Sequence, residues 1–140
     1  MVLKEDLMSR DALGSGAIKA QRGVFGLVRD MAVAAQIAKC AAGLHIGVRN
    51  FDKAQKLIEQ AVIERPFLVI LDLEKCEAEA FRALKELRES ADLKNVPAVG
   101  FVTQAKAMVK PEAEKAGCSR VYMKTEFSRE LANLITRYAV

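Results

Sequence analysis

The chain has 140 residues, of which 51 % are hydrophobic, and it carries a net charge of +4. That length predicts a single domain with a substantial core. The apolar runs are too short to cross a bilayer, and Lys4, Glu5 and Asp6 interrupt the amino terminus where a signal peptide would be apolar. We therefore expect a cytoplasmic protein that does not bind membranes.

The composition argues against a zinc site and against nucleic-acid binding. Cys40, Cys76 and Cys118 are far apart in the sequence, and His45 is the only histidine. This spacing does not suit zinc, so we predict three reduced thiols. Basic residues alternate with acidic ones, as in 85–89, without the interleaved aromatic residues that stack on bases.

The first 22 residues differ from the rest of the chain. They mix both signs of charge and contain Gly14-Ser15-Gly16, a typical flexible sequence. We predict an extension at 1–22 and one domain at 23–140.

From Gly23 onward, short apolar runs alternate with amphipathic segments. The runs predict strands at 24–28, 44–48, 67–71, 98–102 and 121–123. The segments between and after them predict helices at about 31–42, 53–64 and 77–90, around Pro111, and from Phe127 to Tyr138. Asp30 and Asp52 are suitable caps for the first two helices, and Gly43 and Gly117 suit the ends of the first and fourth.

This alternation predicts an α/β fold. Five strands separated by helices form a parallel sheet with helices on both faces. The strand order expected for a (βα)₅ chain of this kind is 2-1-3-4-5, as in flavodoxin-like folds.

Polar residues lie at the carboxyl ends of four of these predicted strands. Asp72 ends the most hydrophobic run, Asp30 and Thr103 follow the first and fourth strands, and Lys124 follows the fifth. In such a sheet these strand ends meet at one edge, where ligands bind. Two carboxylates there could hold Mg²⁺, one could attack a phosphoryl group, and a hydroxyl and an ammonium could hold the phosphoryl oxygens.

Four short motifs in this sequence are similar to those of a known protein family. The motifs at 28–30, 69–72, 101–103 and 116–124 resemble those of the receiver domain of bacterial two-component response regulators, over residues 23–140. The resemblance implies that Asp72 is the phosphoacceptor and that Thr103 is the switch hydroxyl. It further implies that Lys124 binds the phosphate, and that Mg²⁺ is held by Asp30, Asp72 and the backbone carbonyl of Glu74.

The resemblance also implies partners. A histidine kinase or phosphotransfer protein would supply the phosphoryl group, and a protein effector would bind helix 4, strand 5 and helix 5. The chain ends with the last predicted helix, so we expect output by protein–protein contact in a non-enzymatic signalling protein.

Several positions depart from the family pattern. Arg29 stands where a second acid is usual, which weakens the predicted cation site. We expect Arg29 or Lys124 to reach the Asp72 carboxylate instead. Gln104 replaces a small residue and could either cover the cleft or point to solvent. The loop after Asp72 lacks the usual Met-Pro, so its shape is not given by the family.

Three functions follow from these observations. One is a working receiver phosphorylated at Asp72, and another is a pseudo-receiver that docks partners without phosphorylation. The third, a flavodoxin-like enzyme that binds a nucleotide or flavin, lacks a glycine-rich phosphate loop after the first strand.

Overall fold

The computed structural model describes residues 22–139, which form one parallel sheet with helices on both faces. The five strands are β1 (Val24–Leu27), β2 (Val48–Asn50), β3 (Leu68–Asp72), β4 (Ala98–Val102) and β5 (Arg120–Met123). The five helices are α1 (Met31–Gly43), α2 (Ala54–Glu64), α3 (Glu77–Glu89), α4 (Val109–Lys115) and α5 (Lys124–Ala139), with a 3₁₀ turn at Gln104–Lys106.

The strand order is β2-β1-β3-β4-β5, and every neighbouring pair is parallel. The predicted fold and order are confirmed. Of the predicted extension at 1–22, all but Arg22 lies outside the described residues. Within residues 22–139, no helix is both long enough and apolar enough to span a bilayer.

The core has two layers because the central strands are buried on both faces. Every residue of β3 and β4 is buried. One layer, under α1 and α5, is formed by side chains such as Ile37, Phe101 and Phe127. The other, under α2, α3 and α4, includes Leu57 and Leu84. The continuous apolar runs of β3 and β4 are typical of strands covered on both sides.

The second strand begins later than predicted. Residues 44–46 do not pair in the sheet, because their N–H groups bond to the last carbonyls of α1, at Ala41 and Ala42. His45 takes a left-handed φ of 59° to make this turn, while Gly43, predicted to end the first helix, is its last residue. Residues 44–46, which we had predicted to lie in the second strand, therefore form the turn that ends α1. The strand β2 starts at Val48.

Asp52 does not cap α2. The helix begins one residue later than predicted, with Lys53 at the N-cap position and no side-chain cap bond from it. Glu79 of α3 instead accepts the Ala54 N–H at 2.7 Å. The cap thus comes from a neighbouring helix, which also fixes α2 against α3.

Arg88 joins α3 to the two loops that flank β4 and β5. Its guanidinium donates to the carbonyls of Gly117 (2.7 and 3.0 Å), Lys94 (2.9 Å) and Val96 (2.8 Å). We expect Arg88→Met, which keeps the apolar stem, to lower the free energy of unfolding by about 3 kcal/mol, because these carbonyls lose a charged donor. Urea denaturation measures the change. The exposed Arg129→Met should stay within about 0.5 kcal/mol, and equal effects of the two variants would contradict this role.

Candidate functional site

Asp72 ends β3 and is completely buried, with 0 % of its surface exposed. Its Oδ2 accepts the backbone N–H groups of Arg29 (3.1 Å) and Asp30 (3.0 Å). Its Oδ1 accepts those of Glu74 (3.0 Å) and Lys75 (2.8 Å). Four N–H groups from two loops satisfy this carboxylate. Asp72 therefore ties the β1–α1 loop to the β3–α3 loop.

Asn50 positions one of these loops. As the last residue of β2, it accepts the Val28 N–H on Oδ1 (3.0 Å) and donates from Nδ2 to the Val28 carbonyl (2.9 Å). The two bonds fix the backbone that continues into Arg29 and Asp30. Our sequence analysis missed Asn50, whose only signal is a polar amide two residues beyond the predicted second strand.

Asp30 is buried at 6 % exposure and makes two kinds of contact. Its Oδ1 caps α1 by accepting the N–H groups of Ala32 (3.1 Å) and Val33 (3.2 Å). Its Oδ2 forms an ion pair with Lys124 Nζ at 2.6 Å. The hydrogen bond from Lys124 is the main reason that the pKa of Asp30 is lowered, and the same bond raises the pKa of Lys124. Both groups are therefore charged at neutral pH.

Glu74 contacts the end of β4 through its side chain. Its Oε1 accepts the Thr103 N–H at 2.9 Å. This bond is the largest of the effects that lower the pKa of Glu74. A hydrogen bond with the Thr103 side chain and the charges of Lys106 and Lys124 also lower it, while burial raises it. We had considered only the backbone carbonyl of Glu74, so this side-chain contact was missed.

The predicted site residues meet at the carboxyl edge of the sheet. Lys124 bonds to Asp30, the Asp30 N–H bonds to Asp72, and Thr103 is joined to this group through Glu74. Convergence follows from the sequence positions, but most contacts run through backbone N–H groups rather than between the predicted side chains.

The structure shows what the side chains of Arg29, Lys124 and Gln104 contact. Neither Arg29 nor Lys124 bonds to the Asp72 carboxylate through its side chain. The Arg29 guanidinium donates to the Asp52 carbonyl at 3.3 Å, and Lys124 is paired with Asp30. The expected charge substitution at Asp72 is therefore wrong, because backbone N–H groups already occupy both oxygens. Gln104 is exposed, so the solvent-facing alternative is correct.

Comparison with known proteins finds relatives through structure only. No protein-family model matches the chain, and no curated protein matches it in sequence. A putative response regulator from Chloroflexus aurantiacus superposes with a TM-score of 0.72 at 18 % identity, over 84 % of this chain and 97 % of that one. The chain has the receiver fold.

Two further receiver structures support this assignment. A response regulator from Hahella chejuensis gives a TM-score of 0.71 at 18 % identity, over 84 % of this chain and 94 % of that one. The receiver domain of a sensor histidine kinase from Pseudomonas aeruginosa gives 0.70 at 16 % identity, over 84 % and 97 %. That domain was solved with a magnesium ion coordinated in its active-site cleft.

The donors in this receiver fold do not fit Mg²⁺. The metal prefers carboxylate oxygens with available lone pairs in near-octahedral geometry. Both oxygens of Asp30 and both of Asp72 already accept hydrogen bonds, and Arg29 stands in place of a further acid. Among residues 22–139, no group of three or more His, Cys, Asp or Glu side chains is placed to hold a metal.

The Cys76 thiol lies beneath this site and is protonated at neutral pH. Cys76 is buried and lies against the carbonyls of Leu27 (3.2 Å) and Asp72 (3.3 Å). Burial, followed by the charge of Asp72, raises the pKa of Cys76 to about 11. All three cysteines are free, as predicted. Cys76 packs beneath the site as a neutral thiol.

The Asp30–Lys124 ion pair predicts a defined pH dependence. The lowered pKa of Asp30 means that its contribution is complete above the unfolded value of 3.8 and is lost as the pH falls through the lower folded value. The raised pKa of Lys124 means that its contribution is complete below 10.5 and is lost as the pH rises through the higher folded value. The stability difference between wild type and Lys124→Met should therefore be constant from about pH 5 to 9.

Urea denaturation across this pH range measures that difference. It should shrink below pH 3.8, as Asp30 is protonated. Lys110→Met removes an exposed lysine that has no ion pair among the described residues. Its stability difference from wild type should be smaller than that of Lys124→Met and should not shrink in acid. A Lys124→Met difference that stays constant down to pH 2 would contradict the ion pair.

Proposed function

We propose that this domain is a receiver-like docking module that acts by protein–protein contact without phosphorylation of Asp72. The observation that carries the proposal is the burial of Asp72, whose carboxylate accepts four backbone N–H groups. A phosphoacceptor must present an oxygen lone pair to the incoming phosphorus atom. Here each oxygen faces two N–H donors and none of the side chain is exposed.

The ionic groups around Asp72 favour the same function. Lys124, which would bind a phosphoryl oxygen, is paired with Asp30 at 2.6 Å. The backbone N–H of Thr103 is bonded to Glu74 at 2.9 Å, which holds the end of β4 against the β3–α3 loop. Arg29 adds positive charge where a divalent cation would need an acid. Asp30, Asp72 and Lys124, the charged groups that would serve phosphoryl transfer, thus each have a partner within the protein.

The proposed partner is an effector protein that binds the face of α4, β5 and α5. The segment that leads into α4 supports this choice. Met108 is 84 % exposed just before α4, and the Thr103–Lys106 stretch that precedes it is bonded to Glu74 and Glu77. The edge of the sheet therefore fixes the position of an exposed apolar side chain that a protein partner could bury.

A second candidate function is phosphoryl transfer to Asp72 from a histidine kinase or phosphotransfer protein. The observation that favours it is the assembly of Asp30, Asp72, Thr103 and Lys124 at one edge of the sheet. For this function, the Asp72 carboxylate would have to exchange N–H partners and become exposed. Breaking these hydrogen bonds costs free energy, and this cost would slow phosphoryl transfer.

Incubation with Mg²⁺ and acetyl phosphate, followed by intact-mass measurement, separates the two functions. We expect the wild-type chain to gain no phosphoryl group, because a poorly placed nucleophile costs orders of magnitude in rate. Asp72→Asn is the matched negative control, and a receiver domain known to react with acetyl phosphate confirms that the donor is active. One added phosphoryl group on wild type, absent from Asp72→Asn, would reject the proposal and support the second function.

A further inference from the structure

The outer side of α1 is unusually apolar for a helix at the surface. Lys39 is its only charged residue, and Ala38 and Ala42 are among its exposed ones. The exposed side of α3, by contrast, carries Arg82 and Lys85. A helix that is apolar all round is typical of one covered on both sides. Because the sheet covers only one side of α1, its outer side has the composition of a contact surface.

A groove of about 640 Å³ runs between α1 and α5, on the face of the sheet opposite α2, α3 and α4. Its apolar lining includes Cys40, Leu44 and Ala132. Both helices begin at the carboxyl edge of the sheet, and at that end of the groove the Ser128 hydroxyl donates to Gln36 Oε1 at 3.0 Å. The groove is therefore formed by the fold itself, which lowers the cost of ordering it when a partner binds.

The charges that line this groove are positive. Lys39 lies on its α1 side and Arg129 on its α5 side, and within residues 22–139 no Asp or Glu belongs to the lining. Glu130 is 4.0 Å from Arg129 Nε, at the limit of an ion pair, and it does not line the groove. A symmetric contact between two copies of the chain would place this basic patch against itself. The charges therefore favour a partner that carries acidic residues.

We propose that the groove between α1 and α5 binds an amphipathic helix of a partner protein, whose apolar stripe is flanked by acidic residues. Apolar grooves take up amphipathic helices in this way. The stripe covers Leu44 and Ala132, and the acids pair with Lys39 and Arg129. None of the lining residues belongs to the candidate site. This surface therefore goes beyond the proposed function, and it lets the domain join such a partner to an effector bound at α4, β5 and α5.

Fluorescence anisotropy with labelled model peptides tests the proposal. The probe is a helix-forming peptide of about 18 residues with a leucine stripe flanked by glutamates. A second peptide carries lysine in place of each glutamate. We expect the wild-type chain to bind the acidic peptide roughly tenfold more tightly than the basic one, because Lys39 and Arg129 repel lysine. Equal affinities, or no saturable binding of the acidic peptide, would overturn the proposal.

Two pairs of variants locate the binding surface. Lys39→Glu should weaken binding of the acidic peptide about fivefold, whereas Lys110→Glu makes the same change on α4 and should have less than a twofold effect. Ala132→Gln puts a longer neutral side chain into the groove and should also weaken binding. Ala78→Gln, at an exposed position of α3, is its control. If each groove variant matches its control, the peptide binds elsewhere and the proposal fails.

Other occupants of the groove would give different results. If two copies bind each other there, sedimentation would show a dimer that Ala132→Gln dissociates. If residues 1–21 of the same chain bind there, Glu5→Lys with Asp6→Lys would shift the Leu44 amide resonance in NMR spectra without any peptide. Either result would overturn the proposal of an external partner. None of these measurements involves Asp72, so they stand or fall separately from the acetyl phosphate test.

Discussion

Asp72→Asn should lower the free energy of unfolding by about 3 kcal/mol, because a hydrogen bond to a charged group contributes about 1.5–3 kcal/mol. The carboxylate accepts two N–H groups on each oxygen. An asparagine side chain keeps one acceptor and turns its NH₂ group toward the other two N–H donors. The loss follows from two buried N–H groups without acceptors, and urea denaturation measures it.

Asp52→Asn is the matched control for Asp72. Asp52 is an exposed acid at the same edge of the sheet, and the structure gives its side chain no hydrogen bond among the described residues. Its replacement should change the free energy of unfolding by no more than about 0.5 kcal/mol. An increase in stability for Asp72→Asn would instead indicate an acid held under strain for chemistry, as in many active sites. That outcome would support the phosphoacceptor function.

Arg29→Asp should strengthen Mg²⁺ binding at least tenfold. The substitution changes the local charge by two units, which at roughly 6 Å in water is worth about 3 kcal/mol for a divalent ion before salt screening. Among the described residues, the Arg29 guanidinium bonds to the Asp52 carbonyl at 3.3 Å and not to Asp72, so its removal leaves the Asp72 contacts in place. Isothermal titration calorimetry at low salt measures the affinity.

Arg129→Asp makes the same change of charge at an exposed position on α5, away from the site. Its effect on Mg²⁺ affinity should be less than twofold. If Arg29→Asp and Arg129→Asp give equal affinities, Arg29 does not oppose the cation, and the hydrogen bonds of Asp30 and Asp72 alone account for the poor fit.

The architecture could be predicted because each central strand is a continuous apolar run. The apolar runs of β3 and β4 are typical of strands buried on both faces of a sheet. The strand order, which the structure confirms, follows from the alternation of strands with helices. The start of β2 could not be predicted in this way. Leu44 and Ile46 are apolar, but their N–H groups satisfy carbonyls at the end of α1. Periodicity does not distinguish such a turn from a short strand.

The candidate site could also be predicted only in part from the sequence. Sequence position places Asp30, Asp72, Thr103 and Lys124 at one edge, because parallel strands end together. It does not predict which partner each side chain takes. Asp72 bonds to backbone N–H groups whose direction depends on loop shape, and Glu74 reaches Thr103 from a backbone that Asp72 also binds. Such contacts depend on three-dimensional loop geometry that residue types alone do not encode.

The exchange rates of four backbone amides, at Arg29, Asp30, Glu74 and Lys75, test the account most directly. Within residues 22–139, the hydrogen-bond acceptor of each of these N–H groups is the Asp72 carboxylate, and none of the four residues lies within a strand or helix. Hydrogen exchange followed by NMR should show all four amides protected in wild type and exposed together in Asp72→Ala, since one carboxylate holds them. If all four exchange in wild type as fast as solvent-exposed loop amides, the Asp72 oxygens are available to a phosphodonor, and the phosphorylation-independent function is contradicted.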